Sequence, residues 1–237
     1  MNLGEYKLFI SYLAILSNFL FCLILIKQQY TVDMIQNNRR SHCASVYFGG
    51  AFVRIGKILI MSVVQIARCN LWLLYGIAKS DQIIMFVNII GLTLMTSYVV
   101  VFYLYTFKKS FVLRQILATL AIASFIITYF WVEVDNELLI MRLGLLACSF
   151  TLLMIAAPMS KLLYVIRNKS TDCLPFPLIL CSLFVCMFWY LYGVIVEDLF
   201  IMVPNFIGGL LATVQLSVFV IISRIAYSRL PTKSMVA

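Results

Sequence analysis

Apolar residues in this chain neither alternate nor recur on one helical face; they run on in stretches of about 20, separated by short clusters of charge. About 20 consecutive apolar residues are what a helix needs to cross the hydrocarbon core of a bilayer. Seven such stretches can be marked off, at roughly 7–27, 55–77, 83–107, 112–131, 139–164, 174–195 and 200–223. The pattern predicts seven transmembrane helices, with little chain left for a soluble domain and a short tail at 228–237. The first stretch is too long for a signal-peptide core and is followed by Lys27, Gln28 and Gln29 rather than by a small-residue cleavage site. It is expected to persist as the first helix.

Composition points the same way. With 64% hydrophobic and 11% charged residues and a mean hydropathy of +1.04, the chain cannot surround a core with a polar surface. The formal net charge of +9 becomes informative through its placement. Lys27, Arg39 and Arg40 follow the first stretch, Lys108, Lys109 and Arg114 the third, Lys161, Arg167 and Lys169 the fifth, and Arg224, Arg229 and Lys233 the seventh. These alternate connections belong to one side, the cytoplasmic one by the positive-inside rule, with the N-terminus extracellular or lumenal and the C-terminus cytoplasmic. The opposite loops carry Asp81, Glu133, Asp135, Glu137, Glu197 and Asp198 against only Lys79 and Arg142. A basic balance explained by topology gives no reason to expect nucleic acid as a partner.

Chemistry in the sense of an enzyme is not encoded. The single histidine, His42, stands beside Cys43 in a basic loop, and neither a phosphate-binding glycine loop nor a nucleophile elbow occurs. The seven cysteines lie within or beside apolar stretches without paired loop spacing, so they read as packing residues and no disulfide framework, metal or cofactor is expected. Asn168, Lys169 and Ser170 match a glycosylation sequon by accident, on the expected cytoplasmic side.

A long-range regularity is more telling. Trp72, Leu74, Tyr75, Gly76, Asp81, Ile84, Asn88, Gly91 and Leu94 return 117 residues later as Trp189, Leu191, Tyr192, Gly193, Asp198, Ile201, Asn205, Gly208 and Leu211. The duplicated pair occupies stretches two and three and again six and seven, four crossings apart and therefore running in the same direction. This predicts an all-α membrane protein of two parallel three-helix repeats joined by a linker helix, a 3+1+3 plan. Its segments are 1–107, the linker 108–133, 134–227 and the tail 228–237.

The second half carries Pro158, the loop Arg167 to Thr171, Leu174, Pro175 and Phe176, then Trp189, Tyr192, Gly193 and Asp198, and Pro204, Asn205, Gly208 and Gln215. In this pattern, over about 60 residues, it resembles the SWEET (MtN3/saliva) sugar transporter family. SWEETs are themselves a standing example of parallel repeats. The first half matches from Asn70 to Tyr98 but has Gln28 or Gln29 and Val46 or Tyr47 where the family has prolines. From Phe176 to Trp189 is 13 residues, and from Phe48 to Trp72 is 24, an excess of 11 within an apparent insertion at about 49–66. A genuine insertion and a retained in-frame intron, for which Gly56, Lys57 and Gln65 allow splice-border codons, both account for it.

Sugars are rings of hydroxyls with apolar C–H faces, complemented by an amide and an aromatic ring. Asn88 and Asn205 follow Asp81 and Asp198 by seven residues, about 10 Å into their helices, and are the leading substrate-binding residues; an interhelical hydrogen bond is the alternative. Trp189, and with it Trp72, is expected to wall the pocket a turn or two from the Asn, whereas Tyr75 and Tyr192 suit aromatic anchors at the membrane interface. Gly76 and Gly193 are expected to end their helices as left-handed residues, and Asp81 and Asp198 to cap the next ones, shaping the hairpins or a gate. The resemblance implies that Pro158 and Pro175 act as hinges of alternating access.

All nine acidic residues fall in loops or at helix ends. A carrier driven by protons or sodium usually keeps a carboxylate inside the membrane, so facilitated, bidirectional transport of mono- or disaccharides is expected, with weak binding. Arg68 is the exception among charges, and at the bilayer centre it would cost about 2.5–3.5 kcal/mol; a register shifted by the insertion is the expected reason. The competing readings are a degenerate, non-transporting family member, a PQ-loop amino-acid carrier, although Pro-Gln pairs are absent, and a seven-helix receptor. The expected setting is multi-pass in the plasma membrane or Golgi, with sugar and the lipid bilayer as partners and homo- or hetero-oligomers carried over from the family.

Overall fold

The computed structural model describes residues 3–40, 48–106, 109–168 and 176–228, and the side chains of residues 28–40, 48–62 and 156–161, among others, fall outside that description. Among the described residues all regular structure is helical: α1 (Leu3–Arg40), α2 (Phe48–Lys79), α3 (Gln82–Tyr105), α4 (Lys109–Val132), α5 (Asn136–Asn168), α6 (Phe176–Ile195) and α7 (Leu199–Ser228). Six are long and apolar enough to cross a membrane: Glu5–Ile24, Gln82–Leu104, Lys109–Val132, Asn136–Ile155, Phe176–Ile195 and Leu199–Arg224. Helix α4 makes the solvent plain. Only Val112 and Thr119 are buried along it, while Leu117, Leu120, Phe125 and Trp131 are largely exposed, a distribution that is stable only against lipid. The protein is an integral membrane protein.

Two compact units divide the chain, residues 1–17 with 148–237 and residues 18–147. In the first, Val165 of α5, Ile179 of α6, and Ala212 and Ile222 of α7 are buried together, with Leu183, Leu216 and Phe219 packed around them. In the second, Val99 of α3 and Val112 of α4 form the centre of a cluster with Ile66 of α2, Phe102 and Ile116. Side chains three and four apart on each helix supply these contacts, as ridge packing requires.

Helix α2 is 32 residues long and α6 only 20, and both begin at the phenylalanines, Phe48 and Phe176, that the sequence aligns. The 11 extra residues therefore sit inside a continuous helix. They lengthen it by about 17 Å and, being about three full turns, rotate what precedes them by only about 20°.

The turns between paired helices depart from expectation in one respect. Gly76 and Gly193 do not end helices, and no described glycine has a positive φ; the left-handed residues are Ser80 (φ 54°) and Glu197 (φ 52°), four positions on. The reason is which carbonyl closes the helix. The Asp81 N–H donates to Gly76 O at 2.8 Å and the Ser80 N–H to Ile77 O at 3.1 Å; Asp198 donates to Gly193 O at 2.9 Å and Glu197 to Val194 O at 3.3 Å. This is the Schellman pair of bonds, in which the glycine contributes the third carbonyl from the end rather than the left-handed turn.

Candidate functional site

Each hairpin is organised around its turn. Asp81 ends α2 through its backbone N–H and starts α3 through its side chain, Oδ1 accepting from the Ile83 and Ile84 N–H groups at 3.0 and 3.2 Å. Asp198 Oδ1 accepts from the Phe200 N–H at 3.0 Å in the same way. One residue thus closes one helix and caps the next, which holds the turn to two residues in the first hairpin and three in the second and locks the register of the pair.

That register determines depth. In α2–α3, a Cβ added at Gly76, four before Ser80, would lie 3.1 Å from Ile84 Cγ2, four after it, and one at Gly91, eleven after, would lie 3.2 Å from the sulfur of Cys69, eleven before. The second hairpin repeats this about Glu197: Gly193 lies against Ile201 and Met202, and Gly208 against Cys186. Residues equidistant from the turn therefore face each other at both ends of the hairpin. Trp72 and Asn88 are each eight residues from Ser80, and Trp189 and Asn205 each eight from Glu197. Tryptophan and asparagine stand at one level, about 12 Å in from the turn, instead of being offset by a turn or two. The turn centres on Ser80 and Glu197, four residues past the glycines, and this is what brings the two side chains level.

At that level Trp72 and Trp189 are buried and meet Tyr75 and Tyr192 edge-on, both at 5.5 Å between ring centroids, at 84° and 81°. Tyr75 and Tyr192 are fully buried, so they are hairpin core and not interface anchors; the edge-to-face ring contact, favourable beyond the area it buries, explains the placement. The Asn88 amide, buried, donates to Ile84 O at 2.8 Å, and the Asn205 amide, half-buried, to Ile201 O at 2.7 Å. Asn70 makes the same bond to Ile66 O, so the bond alone does not mark a ligand group. Its consequence is orientation: Nδ2 is tied to the helix, and the Oδ1 acceptor and one N–H of each amide remain unspent among the described residues.

The remaining site residues divide clearly. Pro158 falls within α5 but its side chain lies outside the described residues, as does Pro175 altogether. Pro204 is buried inside α7, where it removes the N–H that would reach Phe200 O; Val87 holds the matching place in α3. The Cys69–Gly91 and Cys186–Gly208 contacts had a signal in sequence, since Cys69 and Cys186 are also 117 apart. The Tyr129, Glu133 and Arg142 network, with Arg142 Nη1 at 2.6 Å from Tyr129 Oη and 3.1 Å from Glu133 Oε2, joins α4 to α5 and had none. A shallow groove lined by Leu92, Thr93, Thr96 and Ser97 runs along the exposed side of α3.

Fold and hairpins define the class: a polytopic helical membrane protein in which the α2–α3 and α6–α7 pairs are copies of one another. Residues 56–110 and 141–226, together more than half of the chain, match the family model MtN3_slv, described as a sugar efflux transporter for intercellular exchange. The chain belongs to this SWEET (MtN3/saliva) family, one of transporters and not of enzymes. The protein named sugar transporter SWEET1 of Drosophila pseudoobscura pseudoobscura is 38% identical over 162 residues, 68% of this chain and 72% of that one. SWEET1 of Caenorhabditis elegans is 34% identical over 65% of this chain and 50% of its own length, and SWEET1 of Homo sapiens is 39% identical over 58% and 62%. In shape the chain is similar to the solved structure of a eukaryotic SWEET transporter, with a TM-score of 0.73, 20% identity, and coverage of 93% of this chain and 99% of that one. The likeness in fold thus extends well beyond the stretches that the family matches in sequence.

Proposed function

We propose that the protein is a facilitative, bidirectional uniporter of mono- or disaccharides that works by alternating access. The observation that carries this is the twin arrangement of a buried tryptophan level with a back-bonded asparagine, repeated 117 residues apart. In each copy an aromatic ring can take a sugar C–H face while an oriented amide offers one donor and one acceptor to its hydroxyls. The relatives named as sugar transporters support the substrate class. The architecture in this reading is 3+1+3, with α4 as the linker helix between segments 1–107 and 134–227, the N-terminus extracellular or lumenal, and the plasma membrane or Golgi as the setting. Asn88, Asn205, Trp72 and Trp189 bind, Pro158 and Pro175 bend, and Asp81, Asp198, Gly76 and Gly193 shape the outer hairpins; further copies of this or related chains assemble with it.

Uniport is favoured by where the acids lie. Glu5 and Glu137 stand in first helical turns, Asp81 and Asp198 cap helices, and Glu133, Asp135 and Glu197 lie in turns. Each of these carboxylates stands at a helix end or in a turn, away from the helix interiors where ion coupling would need one; Asp33, expected in a loop, instead falls inside α1 (Leu3–Arg40), with its side chain outside the described residues. The test is radiolabelled glucose and sucrose flux in cells that lack their own carriers, comparing the parent with Asn88→Ala and Asn205→Ala. Saturable flux in both directions, weakened by either substitution, is expected; flux untouched by both removes the amide mechanism. No flux from protein present in the membrane would favour the non-transporting reading, which the missing first-half prolines and the excess in α2 motivate.

A further inference from the structure

One charge in the membrane interior remains unused. Arg68 lies twelve residues before Ser80 in α2, about 18 Å in from the turn and thus near the middle of a 30 Å hydrocarbon layer. It is half-buried, and its Nε donates to Gln65 Oε1 at 3.2 Å; Gln65 itself is buried. Along α2 from Val63 to Gly76 every residue is at least partly buried, Arg68 among them. Among the described residues the one ion pair joins Arg142 to Glu133, leaving Arg68 without a carboxylate. The second hairpin has nothing comparable, since Val185 and Ser182 stand where Arg68 and Gln65 do.

Gln65, Arg68 and Trp72 follow one another at intervals of three and four residues and so share one stripe of α2, beside the Gly76 and Cys69 line that packs on α3. The bond to Gln65 draws the guanidinium toward the cytoplasmic end, one to two turns below the Trp72 and Asn88 level. Arg68 thus turns to the buried Gln65, and an ionisable group within the membrane is a candidate for the substrate path by default. A guanidinium is the side chain whose planar fork best matches a carboxylate or phosphate.

We propose that Arg68, steadied by Gln65, is a one-sided cationic station below the Trp72 and Asn88 level that selects sugars bearing a negative charge, a hexuronate or a sugar phosphate, over neutral ones. The inference rests on the sugar reading of that level and adds the substrate class.

The full chain in proteoliposomes tests it, with labelled glucose, glucuronate and glucose 6-phosphate offered in parallel. Glucuronate or glucose 6-phosphate is expected to inhibit glucose flux at a concentration about tenfold or more below that at which unlabelled glucose does, and which of the two does so decides between carboxylate and phosphate. Movement of the charged sugar is expected to follow voltage, approaching about 50-fold accumulation at 100 mV inside positive for one net charge. Arg68→Val should lower the ratio of charged-sugar to glucose kcat/KM at least tenfold, and Arg68→Lys should restore part of it. An unchanged ratio in Arg68→Val, or charged sugars that neither inhibit nor cross while glucose does, overturns this inference alone. Failure of the parent protein to carry any of the three overturns the sugar reading with it. Should Arg68→Val not reach the membrane, the inhibition and voltage measurements on the unaltered chain still decide.

Discussion

The α2–α3 and α6–α7 hairpins are the same device near the turn and different devices away from it. Within eleven residues of Ser80 and Glu197 the two share the double-duty aspartate, the close-packed glycines, the Trp–Tyr edge contact, the back-bonded asparagine and the cysteine against glycine. One residue deeper the likeness lapses: Arg68 stands opposite Val185 in the alignment, and α2 continues for 11 residues that α6 lacks. Nearer the turn the copies also part where Val87 of α3 answers to Pro204 of α7, one residue before the paired asparagines. The difference teaches that what both copies keep is the geometry fixing one level of the pair, while the deeper half of each is open to specialisation.

Substitutions at paired positions probe how far the equivalence goes, and the largest effect is expected at the glycines. A Cβ at Gly193 would meet Met202 Cγ at 2.8 Å and the Met202 backbone N at 3.0 Å, whereas one at Gly76 meets only side-chain atoms at 3.1 Å or more. Backbone cannot step aside, so Gly193→Ala should destabilise by about 2–3 kcal/mol. Gly76→Ala should stay within about 1 kcal/mol of the parent, because the gain in helix propensity offsets a small adjustment. Thermal unfolding of the purified chain in detergent measures both; equal losses would mean that the two crossings are packed alike.

Next in size are the amides. Asn88→Ala and Asn205→Ala should each lower kcat/KM for sugar flux by about tenfold, or about 1.4 kcal/mol, the loss of hydrogen bonds to a bound hydroxyl. Values within about threefold of each other would fit a ligand shared by both copies; a loss confined to one would assign recognition to that hairpin. Asp81→Ala and Asp198→Ala should each cost about 1 kcal/mol of stability through the lost cap, read in the same unfolding experiment. The smallest effect is expected at the left-handed turn residues, where Ser80→Gly and Glu197→Gly relieve a φ near +50° and should stabilise by about 0.5–1 kcal/mol. A loss instead would show that the side chains hold the turn.

Much of this was legible without coordinates. The boundaries of α3, α4 and α6 lie within a few residues of the apolar stretches, because a helix in lipid must satisfy its backbone internally and end where charge begins. Asp81 and Asp198 were readable as caps from their place before apolar runs. The glycines were readable as important but not in their role. An αL glycine and a glycine against a neighbouring helix look alike in one dimension, and only the 6→1 bonds from Asp81 and Asp198 distinguish them. The same displacement of the turn by four residues altered the relative depth of Trp72 and Asn88, so a small local reading governed the geometry of the site.

Sequence by itself determined that this chain lives in a membrane, that its outer hairpins are duplicates, and which family it belongs to, since all three are written in the length, spacing and identity of residues along one strand of text. Tertiary structure alone decided that tryptophan and asparagine share a level, that Tyr75 and Tyr192 are core, and that Arg68 turns to the buried Gln65. Those facts depend on which atoms of a second helix come within about 3–4 Å, and packing at that distance is set by the register of a turn, which no single residue announces.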